Sequence, residues 1–136
     1  MSIVAGDSIP TVILRLDRDR SVYFPGDTLS GEFRIEGLSR TAIEAVELTV
    51  LWFTEGKGTS DRGVHTAWQF LPSDRAFDPR RPQRFSTIVP RAPWSYEGII
   101  LKIRWTVRLR VILRGMPSIV CEVPFRLGDL PPVALP

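Results

Sequence analysis

The sequence predicts an all-β protein, an antiparallel β-sandwich of about eight strands in one domain. Three observations predict it. Most segments alternate apolar and polar residues with the period of two that puts successive side chains on opposite faces of a strand. Clusters of Pro, Gly, Asp and Ser separate those segments at short intervals. No segment makes a convincing helix, and strands that bury one row while exposing a polar row suit antiparallel sheets with one wet face.

Thr11–Arg18 sets Val12, Leu14 and Leu16 against Ile13, Arg15 and Asp17, a first strand, and Arg18–Ser21 is turn-like. Val22-Tyr23-Phe24 then runs into Pro25-Gly26-Asp27, where proline fixes one φ and glycine permits a positive one. In Thr28–Glu36 the apolar row is Leu29, Gly31, Phe33 and Ile35, and Gly31 inside it implies a bulge or a close packing contact. Ala42–Glu55 carries Val46, Leu48, Val50 and Trp52 on one face and Leu51 and Phe53 on the other. Its first turn, Ala-Ile-Glu-Ala-Val-Glu, could be helical, but the β-branched and aromatic residues that follow favour a long strand.

Residues 56–63 read as a mobile loop, Val64–Phe70 as a strand, and Leu71–Arg84 as a long irregular connection rich in Pro and Arg. Phe85–Val89 is a short strand closed by Pro90-Arg91-Ala92-Pro93. The most regular stretch is Gly98–Arg114. Ile99, Leu101, Ile103, Trp105, Val107, Leu109, Val111 and Leu113 form an apolar row, while Lys102, Arg104, Arg108 and Arg110 share the other face. Ser118–Leu127 is the last strand, and Pro124, which lacks a ladder donor, places it at an edge or a bulge. The expected domain is 1–127, with 128–136 as a Pro-rich tail that is extended or frayed.

Charge is uneven. Residues 1–74 carry a net −4 and residues 75–126 a net +8 within a chain of net +3. Such polarity could steer an acidic partner, although solvated strand faces are the plainer explanation. No apolar run has the length of a membrane-spanning helix, and the first ten residues lack a secretion-signal pattern. With one cysteine, Cys121, there is no internal disulfide, so a cytoplasmic location is expected.

At Val22–Ile35, V-Y-F-P-G-D-T-L-S-G-E-F-R-I, the chain resembles the N-terminal domain of the arrestin family, with its aromatic, Pro-Gly-acid and apolar-x-Gly order. Pro93–Gly98, P-W-S-Y-E-G, is similar to the segment preceding the long basic strand in those proteins. The residues that carry the resemblance are Pro25, Gly26, Asp27, Gly31, Pro93, Ser95, Tyr96 and Gly98. It implies an immunoglobulin-like (arrestin-like) antiparallel β-sandwich that works without catalysis as an adaptor or scaffold, as in receptor-binding arrestins, retromer-subunit-like and bacterial sporulation-control-like proteins. Known arrestins pair two such sandwiches. This chain has length for one, so neither the polar core between domains nor the regulatory tail carries over, and phosphoreceptor binding is not implied.

Catalytic and cofactor chemistry finds little footing. Gly56-Lys57-Gly58-Thr59 lacks the spacing and following helix of a phosphate loop. The only histidine, His65, and only cysteine, Cys121, make no zinc or nucleophile constellation, and Ser95 lacks a nucleophile-elbow context. His65 is expected to be structural, Cys121 buried, and the Tyr96 hydroxyl bonded to backbone. No enzyme activity, metal or cofactor is expected. Trp52, Trp68 and Trp105 lie in apolar rows and are assigned to the core, whereas Trp94, beside a Pro-rich turn, is the interface candidate.

Lys102, Arg104, Arg108, Arg110 and Trp94 therefore form the candidate interaction surface for a protein partner. A nucleic-acid site would interleave aromatics with the cations, but Trp105 faces the other way, so no nucleic acid is expected. Contact with an anionic membrane ranks behind protein binding, and two copies could also pair through sheet edges. The alternative function is a small-ligand or glycan module, with Trp94, Trp68 and the 56–63 loop lining one cleft.

Overall fold

The computed structural model describes residues 10–18, 22–56, 58, 60–74, 77–79, 81–98 and 101–128. Nine strands lie among them: β1 (Thr11–Leu16), β2 (Val22–Tyr23), β3 (Thr28–Glu36), β4 (Ile43–Gly56), β5 (Arg62–Phe70), β6 (Gln83–Ile88), β7 (Tyr96–Glu97), β8 (Leu101–Leu113) and β9 (Met116–Leu127). Helical geometry in the described residues is confined to a 3-10 turn, Arg40–Ala42. The possible helix at Ala42–Glu47 is strand from Ile43 onward, as its β-branched continuation favours. Expectations for Asp129 to Pro136, for Lys57 and Thr59 in the loop, for Arg75 and Arg80, and for Ile99 lie outside the described residues.

Two sheets face each other. The small one has the order β1-β3-β6, and the large one β2-β9-β8-β4-β5, with two-residue β7 paired to β8 beyond the end of β9. Pairing is antiparallel except between β2 and β9, where Val22 and Tyr23 run parallel to Arg126 and Leu127. The chain leaves β1 in the small sheet, touches the large one for those two residues, and returns through the Pro25-Gly26-Asp27 turn to β3.

The core fills the gap between the sheets with the inward rows of both. Leu29, Phe33 and Ile35 come from β3, Val46, Leu48 and Val50 from β4, and Trp105, Val107, Leu109 and Val111 from β8. Trp105 is 1% exposed and packs on Phe125, with ring centroids 5.7 Å apart. Trp52 and Trp68 are only half-buried and pack on the rim of this core. Gly31 owes its identity to a close approach. A Cβ there would stand 2.2 Å from the backbone oxygen of Arg15 and 2.9 Å from the Phe85 ring.

The two open sides of the sandwich are closed differently. On one side β1 lies beside β9. On the other, Val50 pairs with Thr66 and Leu51 with Val64, which leaves His65 as an extra residue in β5. That bulge sends the His65 ring to the small sheet, where Nε2 lies 2.9 Å from the Ile88 carbonyl oxygen and 3.1 Å from the Thr87 hydroxyl. A carbonyl only accepts, so Nε2 donates to it. The same ring makes an edge contact with Trp105 at 6.5 Å. His65 is thus structural, as expected, and ties β5 to β6.

On the outer face of the small sheet, the Asp17 carboxylate accepts from the Ser30 hydroxyl at 2.7 Å and from the Arg84 guanidinium. The Ser30 bond, then that of Arg84, hold the Asp17 carboxyl below its ordinary value of 3.8. A lowered folded value means that the stabilisation is present above the ordinary value and is lost as pH falls through the folded one.

Two outcomes are expected. Gly31→Ala forces β1 and β3 apart and lowers the unfolding free energy by about 1–3 kcal/mol in urea titrations. Asp17→Asn lowers the melting temperature near neutral pH, and its difference from the parent protein closes as acid protonates the parent's Asp17.

Candidate interaction surface

By sequence alternation the outer row of β8 presents four exposed cations. Pairing with its neighbours changes that picture. Arg108 sits opposite Glu122 of β9 and bonds its carboxylate. Arg110 sits opposite Glu47 of β4, with Nη1 at 3.8 Å. Arg104 contacts Glu55 and Glu97, each at 3.1 Å, and Lys102 reaches Glu97 at 3.8 Å. Each of these four cations thus meets a carboxylate from an adjacent strand. The bare basic face expected from the sequence is a cross-strand ion-pair ladder instead, because the register brings Glu47, Glu55, Glu97 and Glu122 alongside. Beneath it Leu51, though on the outer side of β4, is only 4% exposed.

The Pro25-Gly26-Asp27 turn is a structural device. Gly26 has φ +89°, a conformation that favours glycine. Its N–H donates to the Val89 carbonyl at 3.0 Å, and the Asp27 carboxylate accepts from the Phe24 N–H at 2.9 Å. The carboxylate bond closes the turn, while the Gly26–Val89 bond and that from the Val89 N–H to the Asp27 carbonyl at 2.9 Å anchor the start of β3 to the end of β6.

Residues Pro93–Gly98 form a strap across the ends of β8 and β9. The indole N–H of Trp105 donates to the Pro93 carbonyl at 2.6 Å. Ser95 is tied twice to Leu127: its N–H donates to the Leu127 carbonyl, and its hydroxyl accepts from the Leu127 N–H, both at 2.9 Å. The Ala92–Pro93 peptide bond is cis. At the far end, a Cβ on Gly98 would lie 2.5 Å from the Tyr96 ring and 2.7 Å from the Leu101 oxygen, so the motif's glycine is required by close contact. The Tyr96 hydroxyl takes no backbone partner among the described residues, contrary to expectation. The ring is 55% exposed and rests on Gly98.

Trp94, the interface candidate, is 52% exposed. It lines a depression of about 450 Å³ with Val22, Ser95, Arg126, Leu127 and Gly128. A second depression of about 220 Å³ has Ile103, Trp105, Pro124 and Phe125 in its wall, with Ser95, Glu97, Arg104 and Arg126 around them. Ser95 and Arg126 belong to both. Arg126 is exposed and has no carboxylate partner among the described residues. Nothing in the sequence marks it, because the pairing of β9 with Val22-Tyr23 that brings Arg126 beside the strap shows only in the fold.

The proposed cleft of Trp94, Trp68 and the 56–63 loop is not assembled. Trp68 faces Phe85 at 5.9 Å, Trp94 faces Val22 and Arg126, and Ser60 to Arg62 line a depression with Phe53 and Arg108. Cys121 is half-buried and packs against the core. Among the described residues no group of His, Cys, Asp and Glu is placed to hold a metal ion, and no helix is long and apolar enough to cross a membrane.

If the ladder is a set of exposed pairs, its members couple weakly. A double-mutant cycle on Arg108→Ala and Glu122→Ala is expected to give about 0.2–1 kcal/mol of coupling in chemical denaturation, reduced by added salt.

The fold is similar to that of Spo0M, a sporulation control protein from Bacillus subtilis, with a TM-score of 0.59 and 13% sequence identity over 88% of this chain and 49% of that chain. The chain thus spans about half the length of that neighbour. No family model matches the sequence, and no curated protein matches it. At this identity the likeness shows the fold alone: an all-β sandwich of arrestin-like type.

Proposed function

We propose that this chain is a non-enzymatic, arrestin-like interaction domain of the cytoplasm, and that it contacts a protein partner through the Trp94 face of the strap. One observation carries the reading: a half-exposed tryptophan stands on a backbone pinned by three hydrogen bonds to β8 and β9. A large aromatic on a backbone held before binding has only its own side-chain freedom left to lose on contact, and such residues dominate interface energetics. The fold likeness supports the class of protein, an adaptor or regulatory domain.

Other surfaces have less support. The cations of β8 are already paired, so a partner would displace Glu47, Glu55, Glu97 or Glu122 to reach them. Edge pairing between two copies is disfavoured at β9 by Pro117 and Pro124, which lack donors, and at β5 by the His65 bulge.

A photo-crosslinking residue placed at position 94, and in parallel at exposed Glu36 on the small sheet, tests the reading in the native cell. A protein adduct specific to position 94 is expected. Trp94→Ser should then weaken binding of that purified protein by about tenfold or more. No adduct, or the same adducts from both positions, would remove the strap from consideration.

A further inference from the structure

Arg126 lies outside the ion-pair ladder and has no carboxylate partner among the described residues, and its position between two depressions gives it a use. One depression presents the walls of Ile103, Trp105, Pro124 and Phe125, the other those of Val22, Trp94 and Leu127. Arg126 belongs to the lining of both, at the junction where Ser95 is bonded to Leu127. We propose that the two depressions are subsites of one groove for an extended acidic peptide, in which a carboxylate meets Arg126 and an apolar side chain on each side enters a depression.

Charge selects the occupant. Glu97, the carboxylate on the groove's rim, is held by Lys102 and Arg104, so no acidic side chain is left over there to receive a cationic ligand. Arg126 has no such partner among the described residues. An Arg–carboxylate contact is charge-assisted and geometrically specific, and it gains strength beside apolar walls that displace water. Shape selects the spacing. In an extended chain alternate residues share a face, so an apolar, an acidic and an apolar residue separated by one residue each present all three side chains to the groove. The bonded Ser95–Leu127 junction holds the two subsites at a fixed separation, so the groove is formed before the peptide arrives.

This inference rests on the strap being a contact surface, and its test is chosen to fail separately. The probe is a fluorescein-labelled peptide containing Leu-Ser-Asp-Ser-Leu, with Leu-Ser-Lys-Ser-Leu and Gly-Ser-Asp-Ser-Gly as controls, read by fluorescence polarisation on the full chain. The first is expected to bind at least about tenfold more tightly than either control, with affinity falling as salt is raised. Arg126→Glu should abolish the preference for Asp over Lys, and Arg126→Lys should keep it. Trp94→Ser should cut the gain from the leucines, with melting temperatures confirming that each variant folds. Equal binding of the three peptides, or an Arg126→Glu variant that binds the Asp peptide as the parent does, would overturn the proposal. So would absence of peptide binding together with Arg126-dependent retention on phosphatidylserine vesicles. If position 94 still captures a partner when the peptides fail, the contact surface stands and only the acidic groove is lost.

Discussion

Strand β8 is paired on both sides, with β4 along one edge and with β9 and then β7 along the other. Its odd-numbered side chains from Trp105 to Leu113 have nowhere to go but the space between the sheets, and each of them is buried. That burial fixes the register, because a slip of one residue would carry Lys102, Arg104, Arg108 and Arg110 into the core. With the register fixed, the outward row is fixed too, and Glu122 and Glu47 fall opposite Arg108 and Arg110. The hydrophobic face and the charged face are two expressions of the same alignment.

The strap depends on the same strand. β9 stops pairing with β8 at Phe125, opposite Trp105, and from there β7 takes over its place beside Ile103 and Lys102. The handover leaves backbone groups at Pro93, Ser95 and Leu127 that bond to one another and to the Trp105 indole. Depressions form on both sides of this junction because two chain segments meet end to end, with only side chains to fill the corners. A sandwich that offers little catalytic chemistry thus acquires a shaped, partly apolar surface at the place where its regular pairing changes hands.

Much of the fold was legible in the sequence because period-two alternation and turn chemistry are local. The long strands and the Pro25–Asp27 turn could be read from neighbouring residues alone, whereas Gly31 showed only as a bulge or close contact until the fold set it against Arg15 and Phe85. Surface chemistry was less legible, since it depends on which strands lie side by side. Nothing near Arg108 in the chain announces Glu122, and nothing near Trp94 announces Arg126. The parallel pairing of β2 was equally hidden, because two residues are too few to show a period. His65 was rightly taken as structural, but its bridge to Thr87 and Ile88 depends on a bulge that appears only when β5 is set against β4. Trp68 and Trp52 show a limit of pattern itself: an apolar row names the face a side chain occupies, not how far from the rim it sits.

Trp105 belongs to two parts of the molecule at once. Its ring is core and its indole N–H holds the strap at Pro93. For a geneticist this blurs a familiar distinction. Under the proposal that the Trp94 face binds a partner, a substitution at this buried position that leaves the chain folded would release the strap from its anchor and present as a loss-of-partner allele, indistinguishable in a screen from one on the surface. On that proposal, residues recovered by selection for lost interaction would trace a path from Trp94 inward, and the depth of that path would measure how firmly the surface is built on the interior.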